Sequence, residues 1–275
     1  IAIGSLALDG ALEEEVSGAV AIGVSALSAL TTGARNMSLG YQSMLVHTTG
    51  DDNVVIGYQS MVDNNVGSNA LASGANVFVG NYTGGGTWGD DAASSDNVAV
   101  GHSAMSANLN GAIKNVAVGR QAMAALTTGE FNTAMGWRSL FDLTTGERNV
   151  CIGYGSAENT VAGTHNTSVG MGALGTTTNA VVGTVAIGYN AIGGGAVTTG
   201  ANYSVGVGYS ALSALTTGSQ NVAVGYQAML AQTVGNSNVA IGYQSQVAAN
   251  NNAADGNVSV GNFTLDGFGD IAVHS

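Results

Sequence analysis

The chain has no proline and a single cysteine, Cys151, among its 275 residues. Proline lacks a backbone N–H and is confined to the edges and bulges of sheets, so its absence is compatible with backbone hydrogen bonding along nearly the whole chain. A single cysteine excludes an internal disulfide framework.

Charge is also scarce, since only 8% of the residues are charged and the formal net charge is -12. Five Lys and Arg residues are too few to neutralise a run of phosphates, so we expect no nucleic-acid partner. No apolar run approaches the length of a membrane span, so we expect no membrane insertion. The four histidines are dispersed without metal-ligand spacing, and we therefore predict no metal and no cofactor.

Glycine, in contrast, is abundant, and many glycines close the same five-residue pattern. The clearest copy is Asn221-Val222-Ala223-Val224-Gly225, and successive anchor glycines are 17 to 23 residues apart. A short period that continues through a whole chain predicts a solenoid. The 15 anchors are Gly4, Gly23, Gly40, Gly57, Gly80, Gly101, Gly119, Gly136, Gly153, Gly170, Gly188, Gly208, Gly225, Gly242 and Gly261.

Because neighbouring coils share one core, we predict a single β-solenoid domain over residues 1–275. Less regular loops interrupt the repeat at about 62–97, 175–203 and 246–257. The first four residues, Ile1 to Gly4, already match the repeat, so we expect a segment of a longer protein.

Positions are numbered here from the anchor glycine, which is position 0. Positions -3 and -1 are usually Val, Ile, Leu or Met, and position -2 is usually Ala or Ser, an alternation that predicts a short strand. We expect the bulky face to fill the coil interior and the Ala/Gly face to receive another chain. A large apolar residue at +4 is assigned to the core. Glycine at +10 predicts a turn with positive φ.

Position -4 is asparagine in 11 repeats, including Asn221 and Asn238. Identical residues stacked one coil apart predict a ladder of amide hydrogen bonds. Four asparagines, Asn36, Asn81, Asn166 and Asn257, also fit the N-glycosylation motif. The ladder is the preferred interpretation, because three of these motifs arise from the repeat itself.

Seven tyrosines occupy position +1, where they predict either a packed or intersubunit ladder or an exposed stripe that stacks on sugars. The ladder is preferred. The seven are Tyr41, Tyr58, Tyr154, Tyr189, Tyr209, Tyr226 and Tyr243.

Two further segments are candidates for ligand binding. The Thr-Thr-Gly corners resemble an ice-binding threonine array, although adjacent threonines in a strand point in opposite directions. The irregular loop 83–91 is the first choice for a ligand site, with Trp88, Asp90 and Asp91 as its speculative binding residues.

No residue pattern predicts an enzyme. Residues 206–211 match a dinucleotide fingerprint only because their glycines belong to the repeat, and no crossover helix follows. A solenoid polysaccharide-degrading enzyme would need carboxylates clustered on one face, but the acidic residues fall at different repeat positions. We predict no catalytic residues.

The motif Asn-Val-Ala-Val-Gly resembles the head repeats of trimeric autotransporter adhesins. The longer unit Asn-Val-Ala-Val-Gly-Tyr-Gln-Ala-Met, followed by Thr-Thr-Gly, resembles bacteriophage tail-fibre repeats, and the likeness covers nearly the whole chain. This resemblance implies an all-β, left-handed parallel β-roll or β-solenoid of about 15 coils, as an intertwined or side-by-side homotrimer.

The same resemblance implies a structural or attachment segment of a virion fibre on the virion surface, whose partners are its own copies and a host-surface glycan or protein. The alternatives are a bacterial trimeric autotransporter-type adhesin at the cell surface and, less favoured, an ice-binding solenoid. The structural anchors that define the unit are Gly40, Gly57, Gly119, Gly136, Gly153, Gly225, Gly242, Asn221 and Asn238.

Overall fold

The computed structural model describes residues 1–10, 16–62, 73–88, 92–176, 180–195, 197, 201–247 and 255–265. The chain divides into two compact units, Ile1–Arg138 and Ser139–Ser275. Each unit is a solenoid by itself, and the predicted single domain over 1–275 stays a prediction. Within the described ranges no residue is α-helical, Ala201 alone has 3-10 geometry, and no helix has the length and hydropathy that a membrane span requires.

The regular elements are three-residue strands, apart from a two-residue first strand. The first unit contains β1 (Ala2–Ile3), β2 (Val20–Ile22), β3 (Met37–Leu39), β4 (Val54–Ile56), β5 (Val77–Val79), β6 (Val98–Val100), β7 (Val116–Val118) and β8 (Thr133–Met135). The second contains β9 (Val150–Ile152), β10 (Thr167–Val169), β11 (Val185–Ile187), β12 (Val205–Val207), β13 (Val222–Val224), β14 (Val239–Ile241) and β15 (Val258–Val260).

Within each unit, every strand pairs in parallel with the next strand along the chain. The register aligns equivalent repeat positions, as in Val222 with Val239 and Ala223 with Ala240. Gaps of 17 to 23 residues preserve this register, so the extra residues are absorbed outside the strands. One strand per turn with parallel neighbours in chain order is a β-solenoid, and this part of the prediction is confirmed.

The two faces of each strand are the reverse of the predicted ones. The middle residue at -2 is buried, as Ala21, Ala99 and Ala223 show, whereas positions -3 and -1 are half-buried or exposed. The prediction that Val and Ile fill the interior, and that the Ala/Gly face receives another chain, is therefore wrong. Ala fits inside because the coil is narrow and large side chains from positions +4 and +7 already occupy it, such as Leu27 and Leu30.

The anchor glycines form a column in each unit because the backbones of successive coils meet there. Their φ values are positive, as in Gly57 (145°), Gly119 (136°) and Gly225 (139°). A Cβ on Gly153 would lie only 2.6 Å from the carbonyl oxygen of Gly170, and Gly40, Gly57, Gly119, Gly225 and Gly242 are at least as crowded. Gly136 shares the conformation, with φ of 138°.

A corner follows each anchor glycine and alternates the sign of φ. Non-glycine residues at +2 and +4 adopt left-handed conformations, as in Gln42 (53°) and Met44 (52°). This alternation directs successive N–H groups to opposite neighbours: Gln42 donates to Val24 of the preceding coil, and Met44 donates to Ser60 of the following coil. The corner thereby satisfies its backbone without a helix or a longer strand.

The glycine at +10 serves close packing more than a left-handed turn. Gly33, Gly146 and Gly218 do not have positive φ, and a Cβ on any of them would overlap a carbonyl oxygen of the next coil. Among the described glycines at this position, only Gly111 and Gly235 show the predicted positive φ, with values of 82° and 114°. The prediction of a positive-φ turn at +10 is therefore wrong for most of the described coils.

The predicted asparagine ladder is present and is buried inside the coils. At Asn53, the side-chain Nδ2 donates to Oδ1 of Asn36 (3.0 Å) and to the carbonyl of Ser73 (3.1 Å). Its own Oδ1 accepts from the main-chain N and from Nδ2 of Asn76, both at 3.1 Å. Both donors and both acceptor positions of the amide are thus used, which removes the cost of burying it.

The ladder runs from Asn36 to Asn132 in the first unit and is interrupted in the second unit. Asn149 and Asn166 are linked, as are Asn221, Asn238 and Asn257. Between these groups, buried Thr184 and Ser204 occupy position -4. The hydroxyl of Thr184 donates to the carbonyl of Ala201, and that of Ser204 donates to the carbonyl of Gly218 and accepts from the main-chain N–H of Asn221. The interruption falls within the segment 175–203 that the sequence marks as irregular.

We predict that Gly225→Ala lowers the free energy of unfolding by several kcal/mol, because the new methyl group would overlap the carbonyl of Gly242 and φ is 139°. Gly256→Ala is the matched control, since its φ is 74° and nothing lies within 4 Å of a Cβ there. Gly256→Ala should lower the free energy of unfolding by about 1 kcal/mol. Urea unfolding of both variants is the measurement, and equal losses would contradict a steric role for the column.

Candidate interaction face

The outer side of the strands carries three parallel columns of side chains, from positions -3, -1 and +1, which we call the outer strand face. In the second unit the -1 column contains Ile152, Val169, Ile187, Val207, Val224, Ile241 and Val260. Ile187 and Ile241 are exposed by 38% and 41% although the strands that carry them, β11 and β14, are paired on both sides. This face is thus apolar, pleated and uncovered within each unit.

The tyrosines at +1 form the predicted ladder along one border of this face. In the second unit Tyr189, Tyr209, Tyr226 and Tyr243 stack with centroid distances of 4.9, 5.3 and 5.1 Å and interplanar angles of 8–18°. In the first unit Tyr41 and Tyr58 stack at 5.3 Å. Neighbouring rings cover one another's flat faces, so what remains exposed is chiefly ring edges and hydroxyl groups. A sugar therefore has no free ring face on which to stack between two tyrosines of the ladder.

Both stacks end in the same way at the start of a Gly-Asn-aromatic-Thr sequence. Asn81 and Asn262 replace tyrosine at +1, and each Oδ1 accepts the main-chain N–H of the preceding tyrosine, at 3.1 and 3.2 Å. The aromatic residue that follows packs edge-on against that tyrosine, with interplanar angles of 74° and 67°. The second repeat type visible in the sequence is therefore a terminator of the tyrosine stack.

The predicted ligand loop contributes a core residue. Trp88 is only 1% exposed; its Nε1 donates to the carbonyl of Gly84 (3.0 Å), and its ring packs edge-on against Phe78 at 5.8 Å. The ring has no free face for a sugar, so the ligand hypothesis gains no support from it. Asp90 and Asp91 lie outside the described residues.

Phe78 explains why this coil departs from the repeat. It is the largest residue at -2, where most other coils have Ala or Ser, and Gly84 replaces the usual Leu or Met at +4. A Cβ on Gly84 would lie 3.0 Å from the ring of Phe78. Gly84 has φ of 60°, close to the 51° of Leu27 at the same position, so the ring and not the backbone excludes a larger residue. The extra volume of Phe78 at -2 is thus compensated by the volume that Gly84 leaves free at +4.

We predict that Phe78→Ala lowers the free energy of unfolding by about 3–5 kcal/mol because it leaves a cavity. Gly84→Leu alone should also destabilise the chain by overfilling the interior. The double variant Phe78→Ala/Gly84→Leu, which restores the common pattern, should be more stable than the sum of the two losses implies. Urea unfolding of the wild type and the three variants gives the coupling energy between the two positions. If the losses of the two single variants simply add in the double variant, the volume compensation between Phe78 and Gly84 is disproved.

A buried imidazole occupies the core at position +7. His47 is fully buried where four other coils have leucine, and its Nε2 lies 3.1 Å from the carbonyl oxygen of Gly50. The same nitrogen lies 3.4 Å from Nδ2 of Asn53, so the ring borders the asparagine ladder. Desolvation lowers the pKa of His47 from 6.5 to about 4, which keeps the ring neutral in the folded chain.

We predict that acid destabilises the first unit through His47. The unfolded chain binds a proton below its ordinary pKa of 6.5 while the folded chain does so only near 4, so unfolding becomes easier as pH falls between these values. The full effect is about 3 kcal/mol, and it is absent above pH 7. His47→Leu should flatten this part of the stability–pH curve, whereas the control His165→Gln, an exposed position, should not. Parallel curves for wild type and His47→Leu would contradict the prediction.

Groups with chemical reactivity are few and scattered in the described residues. Cys151 is buried at -2, and its burial raises the thiol pKa. Arg35 and Asp52 form an exposed bidentate pair with distances of 2.6 and 2.7 Å, at equivalent positions of adjacent coils. No cluster of three His, Cys, Asp or Glu side chains suited to a metal occurs among the described residues. The arrangement therefore offers surface for contact.

The remaining candidate groups are occupied by the fold. Asn36 and Asn166 of the glycosylation motifs are buried in the ladder, which leaves their amides inaccessible. At the corners, the hydroxyls of Thr31 and Thr216 donate to the carbonyls of Thr48 and Thr233 in the next coil, at 3.0 and 2.7 Å. These threonines serve coil stacking, which weakens the case for an ice-binding array.

Comparison with known proteins gives no relative: no family model, no curated protein and no solved structure matches this chain. The candidate site is therefore defined by the geometry of the chain alone. The sequence predicted the tyrosine column. It did not predict that the outer strand face is exposed, because Val and Ile at -3 and -1 are typical core residues. The signal that was available is the size of position -2, where Ala and Ser suit a narrow interior.

Proposed function

We propose that this chain is a structural and attachment segment of a virion fibre, such as a phage tail fibre, assembled as a homotrimer through the outer strand face. The observation that carries the proposal is the uncovered apolar face itself. Monomeric soluble proteins rarely expose contiguous apolar patches of more than a few hundred Å². We therefore expect another protein surface to pack against this face and bury it.

The area of the face is sufficient for a stable interface. A tyrosine of about 200 Å² that is two-fifths exposed contributes about 80 Å², and Val and Ile contribute less. Three such residues per coil, over the seven strands of the second unit, amount to about 1,000 Å². A specific interface of ordinary size buries about 800 Å² on each partner.

A second copy of this chain is the occupant that the repeat favours. The columns recur at the strand spacing of about 4.8 Å, and an identical chain presents the same columns at the same spacing. Such copies match along their length and leave no residual edge within a closed symmetric assembly. The left-handed coil and the trimer are the finer features that the resemblance to fibre repeats adds to this proposal, and the count of about 15 coils comes from the 15 anchor glycines.

The virion surface is the proposed location, and a host-surface glycan or protein is the proposed further partner. The same resemblance also covers a bacterial trimeric autotransporter-type adhesin at the cell surface. The genes beside this one separate the two: capsid and baseplate genes favour a phage, and an outer-membrane anchor barrel encoded on the same chain favours a bacterium. Thermal hysteresis would be required for the less favoured ice-binding alternative.

We predict that the chain sediments as a trimer and that Ile241→Lys shifts it to monomer, because the lysine places charge in the interface. Ile241 is 41% exposed in the single chain, so the fold tolerates lysine there. Thr217→Lys, at an exposed corner position away from the face, is the matched control and should remain trimeric. Sedimentation equilibrium at several concentrations is the measurement. A monomeric wild type would overturn the proposal, and equal dissociation of both variants would remove the interface from this face.

A further inference from the structure

The outer strand face changes character at one place in the first unit. Along the +1 column, the tyrosines end at Tyr58, and the next coils carry Asn81, His102 and Arg120 before Trp137. Asn81, His102 and Arg120 are all exposed. A polar stretch, two of whose members can carry positive charge, thus interrupts a column that is otherwise largely aromatic.

The register places His102 and Arg120 side by side. Val98 pairs with Val116 and Val100 with Val118, and the main-chain N–H of Gln121 donates to the carbonyl of His102 at 3.0 Å. Equivalent positions of adjacent parallel strands are about 4.8 Å apart. The ring of His102 also packs against Tyr82 at 5.7 Å, and its Nδ1 lies 3.0 Å from the hydroxyl oxygen of Ser103. The imidazole is therefore held in place on the coil next to the one that carries Arg120.

The charge of Arg120 has no counter-charge on this face. In the described part of the first unit the guanidinium makes no ion pair or side-chain hydrogen bond, and the three outer columns contain no Asp or Glu. The acidic residues described in this unit belong to other repeat positions: Asp9 lies at +5, Asp51 and Glu130 at +11, and Asp52 and Asp96 at -5. A chain of net charge -12 thus has a cation on its most apolar surface.

An assembly through this face would bury that cation. Symmetric copies that meet through this face cannot neutralise it, because the described residues of the face bring the same arginine and no carboxylate from each copy. A buried charge without a partner is strongly destabilising, so an assembly of this kind requires an anion from outside the chain. A guanidinium binds planar or tetrahedral oxyanions through paired N–H groups, and an imidazole adds a further donor.

We infer that Arg120, together with His102, forms a binding site for a phosphate-class oxyanion within the outer strand face. This inference rests on the proposed homotrimer. The anion supplies the negative charge that the face lacks, and it stabilises the assembled form over the separated chains. Side chains at position +1 are accessible to an anion, because the tyrosines at that position in other coils are exposed.

The test measures how inorganic phosphate changes the melting temperature of the full chain, at constant ionic strength in a buffer without other oxyanions. The wild type should show a saturable rise in Tm, and isothermal titration calorimetry should give no more than one phosphate per chain. Arg120→Gln and Arg120→Tyr should both abolish the saturable rise, and Arg120→Tyr, which restores the common residue, should melt at or above the phosphate-free wild type. Arg148→Gln is the matched control at an exposed position off the face, and it should respond as the wild type does.

Sedimentation of the same samples separates this inference from the proposal beneath it. A trimer whose Tm does not respond to phosphate, or responds equally in the Arg120 variants, overturns the anion site and leaves the trimer standing. A monomeric wild type overturns both. A trimer with a response that Arg120→Gln removes and Arg148→Gln retains supports both.

Discussion

The structure depends on the contact between the backbones of successive coils at the anchor glycines. There the main chain turns out of the strand at positive φ and lies against the carbonyl of the next glycine, so that no Cβ fits between them. Every other regularity follows from this spacing, because only coils in contact at this point bring equivalent residues into parallel register. The loops differ in length, but they depart from and return to the same column.

The close spacing limits what the interior can hold. A typical coil contributes small residues at -2 and +3, larger ones at +4 and +7, and an asparagine whose amide hydrogen bonds link it to the coils before and after it. Phe78 shows how tight the interior is, since that one large side chain is accompanied by glycine at +4. An interior this narrow cannot also hold Val and Ile from -3 and -1, so these side chains remain outside.

The outward Val, Ile and Tyr columns link the fold to function. Cross-strand contacts between identical residues stabilise each unit from outside, most clearly in the tyrosine stack, while leaving an apolar surface that a second copy matches in spacing. The proposed trimer would thus complete a core that the single coil is too small to supply. Attachment and reach are functions that need such a surface and stiffness along the coils. They do not need the assembled acids, bases or metal ligands that the described residues lack.

Sequence alone determined the solenoid, the strand positions, the asparagine ladder and the tyrosine ladder, because each follows from identical residues recurring at a fixed period. Tertiary structure decided which strand face is inside, because an alternation of period two is symmetric and does not say which side the chain curls toward. It likewise decided that Trp88 is buried and that Gly33 and Gly218 are needed for close packing and not for a left-handed turn. These features depend on which atoms lie across the coil or in the next coil. Those atoms belong to residues that are distant in the sequence, so the local sequence does not identify them.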